Sequence, residues 1–147
     1  MNWGYVIGLL GVGLCVLLCG VGSAIGLKKT GQAAAGILSE DPKKFSKALV
    51  LVVLPATQGI YGFVFGIIGM GSCTLTMTLA QGFQVFLAAL PLAVVGFASA
   101  VHQGNTAASC IHAVAKKESL SGKLILFPAM VETYAILALV ISLLLMA

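Results

Sequence analysis

The sequence predicts an all-α membrane protein whose four transmembrane helices form two tandem hairpins. Three observations carry this. Of 147 residues, 60% are hydrophobic and only 8% charged, whereas soluble domains carry about 25% charged residues. The charges fall between long apolar stretches, and a span needs about 20 residues. The chain therefore has room for four helices and none for a soluble catalytic domain. Lastly, landmarks of the first half recur in the second.

The first helix is expected from about Tyr5 to Leu27, with a more polar continuation towards Leu38. Gly4, Gly8, Gly11, Cys15, Cys19, Gly22 and Gly26 recur at spacings of three and four, so they share one face. In lipid such a face lets backbones approach closely, which points to packing against a similar helix or another copy of itself. The start, Met1-Asn2-Trp3-Gly4-Tyr5, lacks the basic residues of a signal peptide. Leu18 stands where a lipoprotein cleavage box wants a small residue before Cys19, so the stretch reads as a retained helix.

A polar connection, Ser39-Glu40-Asp41-Pro42-Lys43-Lys44, separates this helix from a second one, expected from about Phe45 to Met70. Pro55 in mid-span removes one backbone hydrogen bond and loosens the carbonyls before it. Thr57, Gln58 and Tyr61 lie beside it on one face. The uncharged segment 71–78 leads to a third helix, Leu79 to Ala115. Its Ala89, Ala93, Gly96, Ala100, Gly104 and Ala107 reproduce the small face of the first helix. Gln103 sits where that face turns polar. Lys116-Lys117-Glu118-Ser119 forms the second charged connection, and the fourth helix carries Glu132.

The net charge of +4 comes from eight lysines with no arginine. They fall in two clusters, Lys28, Lys29, Lys43, Lys44 and Lys47, then Lys116, Lys117 and Lys123. Clusters between apolar spans are topology signals rather than a nucleic-acid surface. They place the 1–2 and 3–4 connections in the cytoplasm, with both termini outside, in a multi-pass cell-membrane protein. Residues 1–72 form the first hairpin and 73–147 the second. Pro55-Ala56 with Tyr61 matches Pro128-Ala129 with Tyr134 at an offset of 73 residues, and Ser23-Ala24 matches Ser99-Ala100 at 76. The difference of three is assigned to a shorter second connection. Gly59 then stands in the place of Glu132, so one acid serves two hairpins.

Glu132 is the one acid inside an apolar stretch. A charge at membrane depth costs roughly 2.5–3.5 kcal/mol on insertion scales, which makes the residue functional by default. Counting helical rise from the lysines puts Glu132 about 13 Å deep, Gln58 about 17 Å, Gln103 about 20 Å and Tyr61 about 21 Å. All belong to one layer of the membrane. A carboxylate, two amide carbonyls and the hydroxyls of Thr57 and Tyr61 form a hard, oxygen-rich set, suited to a small hard cation rather than a soft metal. Sodium needs several oxygens to replace its water, whereas a proton needs only the carboxyl and one neighbour. The set favours sodium, with a proton as the alternative. Interhelical packing bonds explain any one of these residues alone, but not all of them at the depth of Glu132.

The cysteines Cys15, Cys19, Cys73 and Cys110 read as small packing residues. His102 is a minor candidate for a proton path, His112 is interfacial, and Trp3 and Tyr5 fit an aromatic belt. There is no Gly-x-x-x-x-Gly-Lys-Ser/Thr loop, so no nucleotide is expected to bind.

At Leu54-Pro55-Ala56-Thr57-Gln58-Gly59-Ile60-Tyr61-Gly62-Phe63, Gln103-Gly104 and Pro128-x-x-x-Glu132, the chain resembles the membrane rotor proteolipids (c/K subunits) of V-type (A/V-type) ATPases, and especially their sodium-pumping branch. The resemblance implies a non-catalytic subunit whose copies form a ring. It implies Na+ (alternatively H+) held by Glu132, Gln58, Gln103, Thr57 and the backbone carbonyl of Leu54, with Tyr61 steadying Glu132. It further implies a stator subunit supplying an arginine, a central-stalk subunit at the cytoplasmic connections, and surrounding lipid, but no nucleic acid. A four-helix membrane transferase has the right size but needs arginines for an acidic thiol cofactor. A small antiporter carries its glutamate in the first helix of a shorter chain.

Overall fold

In the computed structural model, which describes residues 2–146, the helices are α1 (Trp3–Glu40), α2 (Phe45–Val53), α3 (Thr57–Ser72), α4 (Leu79–Lys116), α5 (Ser121–Leu124) and α6 (Leu126–Met146). Three-residue 3-10 turns at Pro42–Lys44, Leu54–Ala56 and Glu118–Leu120 join them into four apolar spans.

The first helix continues past Leu27 through the more polar stretch, as expected, and ends two residues beyond Leu38 at Glu40. It runs unbroken through 38 residues, about 57 Å at the helical rise and far longer than a ~30 Å hydrocarbon core. Its ends are set locally. The Asn2 side chain accepts the Tyr5 N–H at 3.2 Å. At the other end Asp41 leaves helical geometry and accepts the Lys43 N–H at 3.1 Å, and Pro42 cannot continue the ladder. α4 has the same length and opens on a capping box between Thr78 and Gln81.

The small faces of α1 and α4 meet each other. Every small residue of the first series is buried, and so is every one of the second. A Cβ on Gly104 would lie 2.4 Å from the Cα of Gly26, and one on Gly82 would lie 2.1 Å from the Gly4 carbonyl oxygen. The partner of the first helix is thus α4 of the same chain. α3 packs on α1 and α6 on α4, forming a second layer. Its outward side chains, such as Ile60, Phe63 and Ile67 on α3 and Met130, Leu137 and Leu144 on α6, are more than half exposed. That suits hydrocarbon rather than water. At the charged end Lys47 pairs with Glu118, and Lys44 donates to the Ala115 carbonyl at 3.0 Å, tying the two connections together.

Pro55 breaks the second span into a 3-10 turn, and the Val52 carbonyl before it accepts the Thr30 hydroxyl at 2.9 Å. Pro128 causes no such break, because it lies in the first turn of α6, where its missing N–H is not needed. Pro91 lies inside α4 without ending it, and the neighbouring Leu92 N–H is taken up by the Ser142 hydroxyl at 3.1 Å.

The three-residue difference between the repeats is not in the second connection. α1 and α4 start 76 residues apart, and so do the 3-10 turns that follow them. The second hairpin instead lacks three residues between that turn and its proline, where Ser121–Phe127 replaces Phe45–Leu54. Three residues are close to one helical turn, so the deletion shortens the helix and roughly preserves its faces.

Candidate functional site

The six residues singled out from the sequence come together where α3, α4 and α6 converge. The Pro55 turn sets the first part. The Leu54 carbonyl accepts the Thr57 N–H and, at 3.0 Å, the Thr57 hydroxyl. That hydroxyl also lies 3.3 Å from Oε1 of Gln58. Gln58 and Gln103 are completely buried, and a buried carboxamide needs partners for every donor. Both have them. Nε2 of Gln58 donates to Oε1 of Gln103 at 2.7 Å and to the Ser99 hydroxyl at 3.2 Å. Nε2 of Gln103 donates to the Pro128 carbonyl at 3.1 Å and to Oε2 of Glu132 at 3.2 Å. Tyr61 completes the series by donating to Oε1 of Glu132 at 2.6 Å.

The result is one continuous network, Thr57–Gln58–Gln103–Glu132–Tyr61, crossing three helices. Glu132 is only half-buried, so its carboxylate is tethered from inside the chain while one side stays open. Oxygens dominate the set: the carboxylate, two carboxamide oxygens, a hydroxyl and the Leu54 carbonyl. Among the described residues no group of three His, Cys, Asp or Glu could hold a soft metal.

Two participants were not singled out from the sequence. Ser99 links Gln58 to the Val131 carbonyl, to which it donates at 3.0 Å; its position one turn before Gln103 was the available signal. The Pro128 carbonyl orients Gln103, and nothing in a sequence marks a backbone oxygen for that role. His102 is exposed on α4 and outside the network, and His112 is exposed near the charged end. Cys15, Cys19 and Cys110 are buried packing residues, and Cys19 donates weakly to the Leu92 carbonyl at 3.4 Å.

The repeat position of Glu132 is closed. The Gly59 N–H donates to the Ser23 hydroxyl at 2.7 Å, and a Cβ there would lie 3.0 Å from the same oxygen. The duplication therefore shows in the packing as well as in sequence, and the ATP synthase C-subunit family matches this chain twice, over residues 10–69 and 86–145. The chain belongs to that family. It is a rotor proteolipid of the V/A-type ATPases, a non-catalytic membrane subunit that works as part of a ring with other ATPase subunits. It is 44% identical to the V-type sodium ATPase subunit K of Enterococcus hirae, over 98% of this chain and 92% of that protein. It is 38% identical to the A-type ATP synthase subunit K of Methanocaldococcus jannaschii, over 96% of this chain and 62% of that protein. The 16 kDa proteolipid of the V-type proton ATPase of Rattus norvegicus is 25% identical, over 94% of this chain and 89% of that protein.

Proposed function

We propose that this rotor proteolipid carries sodium, binding and releasing one Na+ at Glu132 as the ring turns against its stator. The observation that supports this is the unbroken network from Thr57 to Tyr61, which links five oxygens, those of Leu54, Thr57, Gln58, Gln103 and Tyr61, to one carboxylate. A proton carrier needs only Glu132 and Tyr61 and leaves the buried amides without a role. Glu132, Gln58, Thr57 and the Leu54 carbonyl offer oxygens to the ion. Gln103 offers Oε1 once Gln58 turns its own carboxamide over, since in the present arrangement that oxygen accepts from Nε2 of Gln58; Nε2 of Gln103 keeps its bonds to the Pro128 carbonyl and Glu132. Tyr61 steadies the carboxylate.

Charge cost then drives the cycle. A bare carboxylate facing lipid is expensive, so Glu132 crosses lipid with its ion bound. It loses the ion only at an aqueous path in the stator, beside a fixed positive charge. This chain has no arginine, so that charge belongs to the stator subunit. The basic connections face the cytoplasm and contact the central stalk, and both termini lie outside.

The test is the rate at which a carbodiimide labels Glu132 in detergent-solubilised rings, with and without sodium, across pH. Carbodiimides react with the protonated carboxyl. Protection by millimolar or lower sodium at fixed pH is the expected result. Protection by raised pH alone makes this a proton site and leaves Gln58 and Gln103 as packing groups.

A further inference from the structure

Pro55 cuts the second span into two helices, and helix ends have backbone groups without ladder partners. Val52 is the next-to-last residue of α2, so its carbonyl belongs to that set. Gly59 is the third residue of α3, so its N–H does too. Hydroxyls of α1 meet both. Thr30 Oγ1 donates to the Val52 carbonyl at 2.9 Å, and the Gly59 N–H donates to Ser23 Oγ at 2.7 Å. Between them Gly26 receives the proline itself: a Cβ on Gly26 would lie 2.7 Å from the Cβ of Pro55. Ser23, Gly26 and Thr30 are spaced by three and four, so they form one strip of the helix. All three are buried.

The segment held this way is the one that carries ligands. Leu54, Thr57 and Gln58 all fall between Val52 and Gly59. The second hairpin has the same two hydroxyls and uses them differently. Thr106 stands where Thr30 does, at the repeat offset of 76 (106 − 30), but donates to the His102 carbonyl of its own helix at 3.0 Å. Ser99 stands where Ser23 does, but donates to the Val131 carbonyl and accepts from Gln58. Thr30 also lies 3.1 Å from the Leu27 carbonyl and 3.4 Å from that of Gly26. Those are the back-bonds open to a threonine inside a helix, and the bond to Val52 is the shortest of the three.

We propose that Thr30 and Ser23 are positioning residues for the ion: neither offers it an oxygen, yet together they fix the Pro55 turn and so set how tightly sodium is held. This rests on the sodium-carrier reading above. Binding of a hard cation depends on the size and rigidity of its cage as well as on the number of oxygens. The Leu54 carbonyl is two residues from the Thr30 anchor, and Thr57 is two residues from the Ser23 anchor. A turn released at either end lets those two oxygens drift. Glu132 keeps its own bonds from Tyr61 and Gln103. The loss therefore falls on sodium affinity and leaves the reactivity of the carboxyl unchanged.

The test is carbodiimide labelling of Glu132 in detergent-solubilised rings of full-length chains, with ring mass read by native mass spectrometry. Thr30→Val removes the hydroxyl and keeps the branched shape. It is expected to raise the sodium concentration that half-protects Glu132 by about three- to tenfold, the range of one net hydrogen bond. The labelling rate without sodium, and its pH profile, are expected to stay as in wild type. Thr30→Ser keeps the hydroxyl and is expected to restore protection. Thr106→Val, the same change at the repeat position, is expected to shift nothing. Wild-type protection in intact Thr30→Val rings assigns the hydroxyl to the carbonyls of its own helix and overturns the proposal. Equal weakening by Thr30→Val and Thr106→Val, or a moved sodium-free pH profile, marks general loosening and also overturns it. If Thr30→Val forms no rings, Ser23→Ala decides: a several-fold rise supports the proposal, and wild-type protection overturns it. Wild-type rings protected by raised pH alone overturn the sodium reading and the proposal with it, whereas sodium protection that no variant changes overturns the proposal alone.

Discussion

The hydroxyl of Tyr61 donates to Oε1 of Glu132 at 2.6 Å, across 71 residues of sequence and from α3 to α6. This bond joins the two hairpins at the one acid in the apolar spans, and the buried Gln103 holds the other carboxylate oxygen. A hydrogen bond to a charged group contributes about 1.5–3 kcal/mol. Tyr61→Phe is expected to raise the sodium concentration needed to protect Glu132 from carbodiimide by about tenfold or more, with ring mass unchanged. Equal protection in the variant reduces Tyr61 to a packing residue.

Glu132→Gln keeps the side chain's shape and removes its charge. Rings of normal mass are expected, with ATP-driven sodium uptake into proteoliposomes abolished. Coupled uptake by the variant sinks the mechanism.

Gln58→Ala removes the donor to Gln103 and Ser99 and the oxygen beside Thr57. Leaving a buried acceptor unmade costs about 1–3 kcal/mol, so some loss of melting temperature is expected. Sodium affinity is expected to fall by a larger factor than assembly. Unchanged sodium dependence assigns Gln58 to packing alone.

Two glycines on one helix are expected to respond in opposite ways. A Cβ at Gly26 meets the Ala100 carbonyl oxygen at 2.6 Å and the Pro55 Cβ at 2.7 Å, whereas one at Gly36 meets nothing within 4 Å. Gly26→Ala overpacks the α1–α4 contact, which typically costs about 1–3 kcal/mol. Gly36→Ala relieves the helix penalty of glycine, worth about 1 kcal/mol. Thermal melting of rings in detergent checks the pair: lower for the first, equal or higher for the second.

Cys73, at the end of the second span, is the one partly exposed cysteine. A membrane-impermeant maleimide is expected to label it from outside right-side-out cells, and not from the cytoplasmic side of inverted vesicles. Burial raises its thiol pKa, so less thiolate is present at neutral pH than for a free cysteine. Labelling is expected to be slow at pH 7 and faster as pH rises. Labelling confined to inverted vesicles reverses the proposed orientation.

Much of this was legible in the sequence because the relevant physics is local. Glycine and alanine at three- and four-residue spacing define a face whatever lies opposite, and Gly26 and Gly104 do meet. The polar residues near Glu132 could be ranked by depth because helical rise is constant. The continuation of α1 past Leu27 was legible as well, although polar residues there resemble a helix end when judged by hydropathy. Its buried face runs on through Thr30, Ala33, Ala34 and Ile37. The missing turn before Pro128 was misplaced, because an offset counts residues without saying which element lost them.

By itself, then, the sequence determined the number and order of the spans, the duplicated plan and the single acid, since span length and the cost of a buried charge depend on few neighbours. Tertiary structure alone decided that α1 pairs with α4, that Ser99 and the Pro128 carbonyl orient the two amides, and that Ser23 closes the place opposite Gly59. Those relations depend on the directions of individual donors and acceptors. Such directions are set only when helices distant in sequence pack closely enough that every buried polar atom must find a partner.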